Sequence, residues 1–393
     1  MSINSVDFNN SEIAFQMRSN DELKQMNWLF KMMNKPWLVN WGSRAGLLAI
    51  RLRLPFVKKV LKNTVYRQFC AGETLLDSKP VIERMGKYHV KSILDYGAEG
   101  KETEADFNFT MNNTIRSIDF SEEVDNIPVV SIKITGLARF NLLEKVHNGD
   151  SLTVAEQKEF EGVRKRLEAI CYNGHQKNIQ VYIDAEETWI QNAVDELAYG
   201  MMKLFNKEKA IVFNTYQLYT TTALASMKKG HELAQKEGYI FGSKIVRGAY
   251  IDKERERAAT MGYPSPIQPD KPATDRDFNL AIKYAVENIG TMSLCCATHN
   301  SDSCHYYAQL LDEAGISHQH PHVMFSQLYG MSDNLTFNLG NAGYNASKYL
   351  PYGPVFDVVP YLIRRAQENT SVTGEMSREF EIINTEIKRR GIS

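Results

Sequence analysis

Cysteine is scarce in this chain: five residues in 393, an odd number with no CxxC pair. That excludes a disulfide scaffold and describes reduced thiols, with Cys295 and Cys296 inside an apolar run as core packing. An excess of either charge is also missing. Lysine and arginine total 46 against 47 acidic residues, so a polyanionic partner such as nucleic acid is not expected. No apolar run reaches the ~18 residues of a membrane-spanning helix. Asp7 and Glu12 precede the first basic residue, Arg18, which argues against a signal or transit peptide and leads to an expected place in the cytoplasm. Walker A and GxSxG motifs are absent, and Gly340-Asn341-Ala342-Gly343 has neither the spacing nor the setting of a dinucleotide fingerprint. Internal repeats and low-complexity tracts are missing too.

What is present is a change of pattern near residue 89. Residues 1–88 read as a helical arm, in which Asp21 caps one helix and Ala45 to Asn63 forms a basic amphipathic segment. Residues 89–374 alternate short apolar runs with long helical stretches. The runs are KSILD (91–95), VVSIKI (129–134), IQVYID (179–184), AIVFN (210–214), SKIV (243–246), SLCCAT (293–298), HVMF (322–325) and SKYL (347–350). Eight strand-helix units predict an α/β fold, a closed parallel (β/α)8 TIM-type barrel, because parallel strands need crossovers and closure removes the edges. The spans 97–129 and 251–275 read as lid-like loops, and residues 375–393 as a C-terminal helix packed on the outside.

In such a barrel chemistry gathers at the C-terminal ends of the strands. Those ends carry Glu99, Lys133, Asp184 with Glu186 and Glu187, Asn214 with Gln217, Arg247 and Tyr250, His299 and Asn300, Gln327 and Tyr349. A lone polar residue there is an ordinary turn residue; polar groups at nearly all eight ends describe a site. Lys133 lies in an apolar strand and needs an anion if it points inward, and Asp184 is the obvious protein partner. Past the last strand, Pro354 suits a first helical position, and Val355 to Ile363 read as a buried helix. Arg364 and Arg365 end that apolar stretch, and desolvated guanidiniums point to a carboxylate or phosphate clamp. His318, His320 and His322 invite a metal reading, but Pro321 breaks the strand geometry and no metal is expected.

Read alone, these residues leave three functions open. One is a site with a bound cofactor, to which a pair such as His299 and Asn300 would donate hydrogen bonds, with Gln217, Thr298 and Gln327 at neighbouring strand ends. Another is a lyase or aldolase with Lys133 as Schiff-base amine. The last is a non-catalytic barrel that binds a small amino acid.

The stretches LDYGAEG (94–100), IKITGL (132–137), DAEE (184–187), FNTYQ (213–217), KIVRGAY (244–250), ATHN (297–300), FSQLYGM (325–331) and KYLPYGP with YLIRRAQEN (348–369) resemble the monofunctional proline dehydrogenase family. The resemblance implies a distorted barrel whose last helix lies over the mouth, with non-covalent FAD inside. It implies oxidation of L-proline to Δ1-pyrroline-5-carboxylate, with electrons passed to a membrane quinone through a peripheral encounter with the bilayer, for which the Ala45 to Asn63 segment is the candidate. Carried over by position, Lys133, Arg364 and Arg365 resemble the cations that hold the substrate carboxylate, and Glu99 the acid that pairs with Arg364. Tyr349 and Leu328 resemble the walls of the ring pocket, with Tyr250 and Ala249 close by. Asn214, Lys244, Val246, Arg247, Gly248, His299 and Glu368 resemble the FAD contacts. Three positions depart from many bacterial relatives, which carry Gln at 214 and Arg then Lys at 244 and 247.

Overall fold

A computed structural model describes residues 6–33, 35, 57–97, 100–371 and 375–392, and the side chains of 366–371 and 375–377 lie outside that description. Eight parallel strands close a barrel in sequence order: β1 (Val90–Tyr96), β2 (Val129–Lys133), β3 (Gln180–Asp184), β4 (Val212–Gln217), β5 (Phe241–Val246), β6 (Met292–Ala297), β7 (Val323–Leu328) and β8 (Ala346–Tyr352). Each predicted apolar run falls on one of them. Register follows the pleat. Lys133 pairs with Asp184, Tyr182 with Phe213 and Thr215 with Lys244, so these side chains share one face of the sheet. Ile183 and Asn214 take the other face, the one that packs on helices.

By compactness the chain divides into two units. One holds 98–298 and 302–325; the other holds 2–97, 299–301 and 326–393. In the first, long helices follow the strands. Val154–Lys177 shows how the sequence sets such a helix: Thr153 and Glu156 form a reciprocal capping box, and Asn178 stops the helix in the left-handed conformation. In the second unit, helix Asn20–Met33 and the terminal helix Glu375–Arg390 build one apolar cluster. Leu23, Met26 and Phe30 meet Ile382, Ile383 and Ile387 there, with Val355, Val358 and Leu362. Burial of each such side chain contributes about 1.5–3 kcal/mol.

Several expectations are corrected. The span 97–129 is no loop: it holds helix Glu104–Glu123. Its buried face is largely Thr110, Thr114, Ser117 and Ser121, with Phe107, Ile118 and Phe120. The hydroxyls of Thr114, Ser117 and Ser121 donate back to carbonyls four residues earlier, so small polar groups fill positions where an apolar stripe was sought. The span 251–275 likewise contains helix Ile251–Met261 and the start of Lys271–Glu287. Pro354 does not open a helix. Residues 355–358 form turns, Phe356 is 46% exposed, and helix Val359–Ser371 carries Pro360 in its first turn instead. Asp21 is not the cap of its helix either; Ser19 and Glu22 exchange the capping hydrogen bonds. Of the Ala45 to Asn63 segment, residues 45–56 lie outside the described residues. Its visible end is helical from Val57, and Lys58 and Lys62 both pair with Glu73. Among the described residues no helix is long and apolar enough to cross a membrane.

Candidate active site

In the first unit the ends of β2 to β6 gather the chemistry. Lys133 and Asp184 end β2 and β3 as register partners, with Lys133 Nζ 3.7 Å from Asp184 Oδ2. Lys244 of β5 comes closer, its Nζ 2.5 Å from Asp184 Oδ1 and above the Tyr182 ring. Lys133, Asp184 and Lys244 are all nearly buried, so water screens the cluster weakly. Beside it Glu186 accepts from the backbone N–H of Thr135 at 3.1 Å and from its hydroxyl at 2.5 Å. Burial pushes the Glu186 carboxyl up to about 7, in spite of those bonds. Gln217 donates to the Glu186 carbonyl at 2.6 Å, while Glu187 pairs with Lys253.

Arg247 is held on three sides. Its Nε donates to Asp275 at 2.8 Å, Nη1 to Thr298 Oγ1 at 2.5 Å and Nη2 to Ser303 at 3.0 Å, with Phe278 beneath at 4.3 Å. Asp275 is partly buried, which raises its carboxyl, but Lys271 and Arg247 hold it below the usual range. Val246 and Arg247 offer carbonyls to the N–H groups of Leu218 and Tyr219. Gly248 follows at φ 137°, where a Cβ would lie 2.5 Å from the Tyr219 ring, so only glycine fits this turn. Ala249 and Tyr250 lead from it into helix Ile251–Met261.

Asn214 faces the other way. Its amide donates to Asp195 of helix Gln191–Phe205 at 2.7 Å, on the helix side of β4. Gln217, three residues on, shares the Lys244 face of the sheet. The sequence reading placed both amides together; alternation along the strand separates them.

The second unit holds Tyr349, Gln327, Leu328, Arg364, Arg365, His299 and Asn300. Tyr349 on β8 is buried, and its carbonyl accepts from Tyr329 at 2.9 Å. Gln327, at the end of β7, accepts from the Thr336 hydroxyl, and Leu328 follows partly buried. Arg365 is only 6% exposed and lies over the Tyr361 ring at 5.2 Å, and Arg364 is partly buried beside it. His299 Nδ1 is 2.8 Å from Ser332 Oγ, and Asn300 follows in the turn before helix Ser301–Glu313. Glu99 and the side chain of Glu368 lie outside the described residues.

Sequence reasoning missed a buried ionic network in this unit. Arg18 donates twice to Asp333 Oδ2, and Lys348 Nζ sits 2.9 Å from Asp333 Oδ1. Burial would raise the Asp333 carboxyl, but Lys348 and Arg18 hold it below its usual range. Burial pushes the Lys348 ammonium down, partly offset by Asp333. Glu379 of the terminal helix accepts from the Ser332 N–H at 2.7 and 2.9 Å, and burial with the nearby Asp333 charge raises it to about 7. A lysine inside an apolar strand was the available signal at 348, as it was at 133. The three histidines of the 318–322 stretch go to separate partners: Asp312, the His322 N–H and the Ile289 carbonyl. Among the described residues no group of three or more His, Cys, Asp or Glu is placed to hold a metal.

The donor set suits FAD in its chemistry: amide, ammonium, guanidinium and hydroxyl groups of Gln217, Lys244, Arg247 and Thr298 lie at the ends of consecutive strands. The family model described as proline dehydrogenase matches residues 79–378. Mitochondrial proline dehydrogenase 1 of Drosophila melanogaster is 39% identical over 245 residues, covering 60% of this chain and 36% of that protein. The chain thus spans little more than a third of that relative's length. Hydroxyproline dehydrogenase of Xenopus laevis is 32% identical over 96% of this chain and 89% of its own length. Proline utilization A from Bdellovibrio bacteriovorus superposes with a TM-score of 0.74 at 20% identity, covering 98% of this chain and 41% of that one, a likeness of fold. With its barrel, its strand-end cations and a family match over most of its length, this chain belongs to the proline dehydrogenase family.

Proposed function

We propose that the chain oxidises L-proline to Δ1-pyrroline-5-carboxylate with FAD as cofactor and a quinone as the final acceptor. FAD, when bound, supplies the two-electron oxidant. Gln217, Lys244, Val246, Arg247, Gly248, Thr298, His299, Asn300, Gln327 and Glu368 are the candidates to hold it, with Asn214 supporting β4 from the helix side. Lys133, Arg364 and Arg365 grip the substrate carboxylate, each charge-assisted bond being worth about 1.5–3 kcal/mol. Their positive field also favours the neutral ring amine, whose lone pair the oxidation needs. Asp184 holds Lys133 and Lys244 in place, and Glu99 pairs with Arg364. Tyr349 and Leu328 wall the ring, with Ala249 and Tyr250 close by. The boundaries 1–88, 89–374 and 375–393 and the helix over the mouth belong to the same reading, as does a peripheral encounter with the membrane.

The observation that carries this reading is the buried Lys133–Asp184–Lys244 cluster at strand ends, in a chain of this family. The lyase reading with Lys133 as Schiff-base amine is not favoured by the family match, and neither is the non-catalytic reading. The extended likeness to hydroxyproline dehydrogenase supports a second substrate reading, 4-hydroxyproline. Tyr349 supports proline over it, because a bulky ring placed beside C4 would crowd a hydroxyl. Steady-state turnover with an artificial acceptor tests the choice: kcat/KM for L-proline should exceed that for 4-hydroxyproline by at least about tenfold. Equal or inverted values would reject the preference for proline over 4-hydroxyproline.

A further inference from the structure

The terminal helix reaches both sides of the His299–Asn300 turn with two consecutive side chains. Arg378 donates to the Ser301 hydroxyl. Both Glu379 oxygens accept from the Ser332 N–H, at 2.7 and 2.9 Å. Ser332 in turn stands 2.8 Å from His299 Nδ1, and it does so from the left-handed conformation, φ 50°, that a serine rarely adopts. A carboxylate that accepts the backbone N–H from inside the fold is a reason for that conformation to persist. Glu379 is buried and lies beside the Asp333 and Lys348 charges, so it has little freedom to swing away. The ring of His299 is thereby fixed at one nitrogen by a chain that starts on the terminal helix. Outer hydrogen bonds of this kind set which nitrogen carries the proton and where the other one points.

We infer that Glu379 and Ser332 are positioning residues for His299, so that the terminal helix presets one of the cofactor contacts. This rests on the reading above that His299 touches FAD. Arg378 contributes by holding the start of helix Ser301–Glu313, and neither it nor Glu379 touches the cofactor itself.

The test is FAD affinity of purified protein, stripped and reconstituted, followed by flavin fluorescence, with thermal midpoints recorded for every variant. His299→Ala should weaken FAD binding by on the order of tenfold, about the value of one hydrogen bond. Glu379→Ala and Ser332→Ala should each weaken it comparably. Glu379→Gln, whose amide oxygen still accepts from the Ser332 N–H, should stay within about twofold of the parent. The decisive variant is the Glu379→Ala, His299→Ala double, which should bind FAD no worse than His299→Ala alone. Losses that multiply in the double variant would overturn the inference and leave the cofactor reading standing. If His299→Ala alone leaves FAD affinity unchanged, the placement of His299 at the cofactor fails, and the inference with it. Should Glu379→Ala not fold, Ser332→Ala in the same cycle with His299→Ala decides in its place.

Discussion

Lys244 Nζ stands 2.5 Å from one oxygen of Asp184, whereas Lys133, the register partner of Asp184, stands 3.7 Å from the other. A single carboxylate therefore mediates between a lysine assigned to the substrate and one assigned to the cofactor. Removing its charge strands two ammonium groups in a site shielded from water. Asp184→Asn should cost about 3–5 kcal/mol of stability, the usual penalty for breaking a buried pair from one side. Urea unfolding monitored by circular dichroism measures it, and a loss under about 1 kcal/mol would show that the cluster is held by other means.

Arg364→Met separates the carboxylate clamp from the cofactor site. Losing one charge-assisted bond should raise KM for L-proline by about ten- to a hundredfold while bound FAD per chain stays at the parent level. Unchanged proline kinetics would take Arg364 out of the clamp, and loss of flavin would assign it to the cofactor instead.

The two amides of β4 should behave differently. Asn214 is tied to Asp195 in the helix layer, so Asn214→Ala should lower stability by about 1–3 kcal/mol and leave FAD affinity near the parent value. Gln217→Ala should lower FAD affinity, and it should cost stability as well because it leaves the Glu186 carbonyl without that donor. Equal effects of the two on FAD affinity would contradict the alternation argument.

That pair also shows what the sequence could and could not disclose. The eight apolar runs were legible because parallel barrel strands are buried on both faces and need no alternation to stand out. Lys133 and Asp184 were legible as a pair because charges in such runs must find each other. Lys348 obeyed the same rule and was overlooked, since its partner Asp333 lies beyond β7 and the other cation on that carboxylate, Arg18, is more than 300 residues away in sequence. Helix Glu104–Glu123 was hidden because Thr and Ser, rather than Leu or Val, make much of its inner face. The inward or outward aim of Asn214 was hidden because β4 is buried on both faces, so its burial shows no alternation from which the face of a residue can be read.

Glu186 and Glu379 add a downward slope to stability against pH, opposed below about 6.5 by His147, His231 and His320, whose imidazoles burial holds below their usual range. Both carboxyls are raised by burial to about 7 from an ordinary value of 4.5. Between those values the folded chain keeps protons that the unfolded chain has released, so stability is full at the acid end and falls as pH rises towards 7. Each group contributes on the order of 3 kcal/mol across that window. Asp195 and Glu254, also raised by burial, add slope of the same sign. Relative to the parent, the Glu186→Gln, Glu379→Gln double variant should therefore lose a downward component of the urea midpoint between about pH 5 and pH 7. An identical midpoint-against-pH profile in parent and double variant would be incompatible with buried, protonated glutamates.

The visible spectrum of the purified protein under anaerobic L-proline bears most directly on the whole proposal. A yellow protein carrying about one flavin per chain, bleached by L-proline in the absence of oxygen and much less by 4-hydroxyproline, is the expected result. A flavin-loaded protein whose spectrum L-proline leaves unchanged, or a chain that takes up no flavin at all, would contradict it.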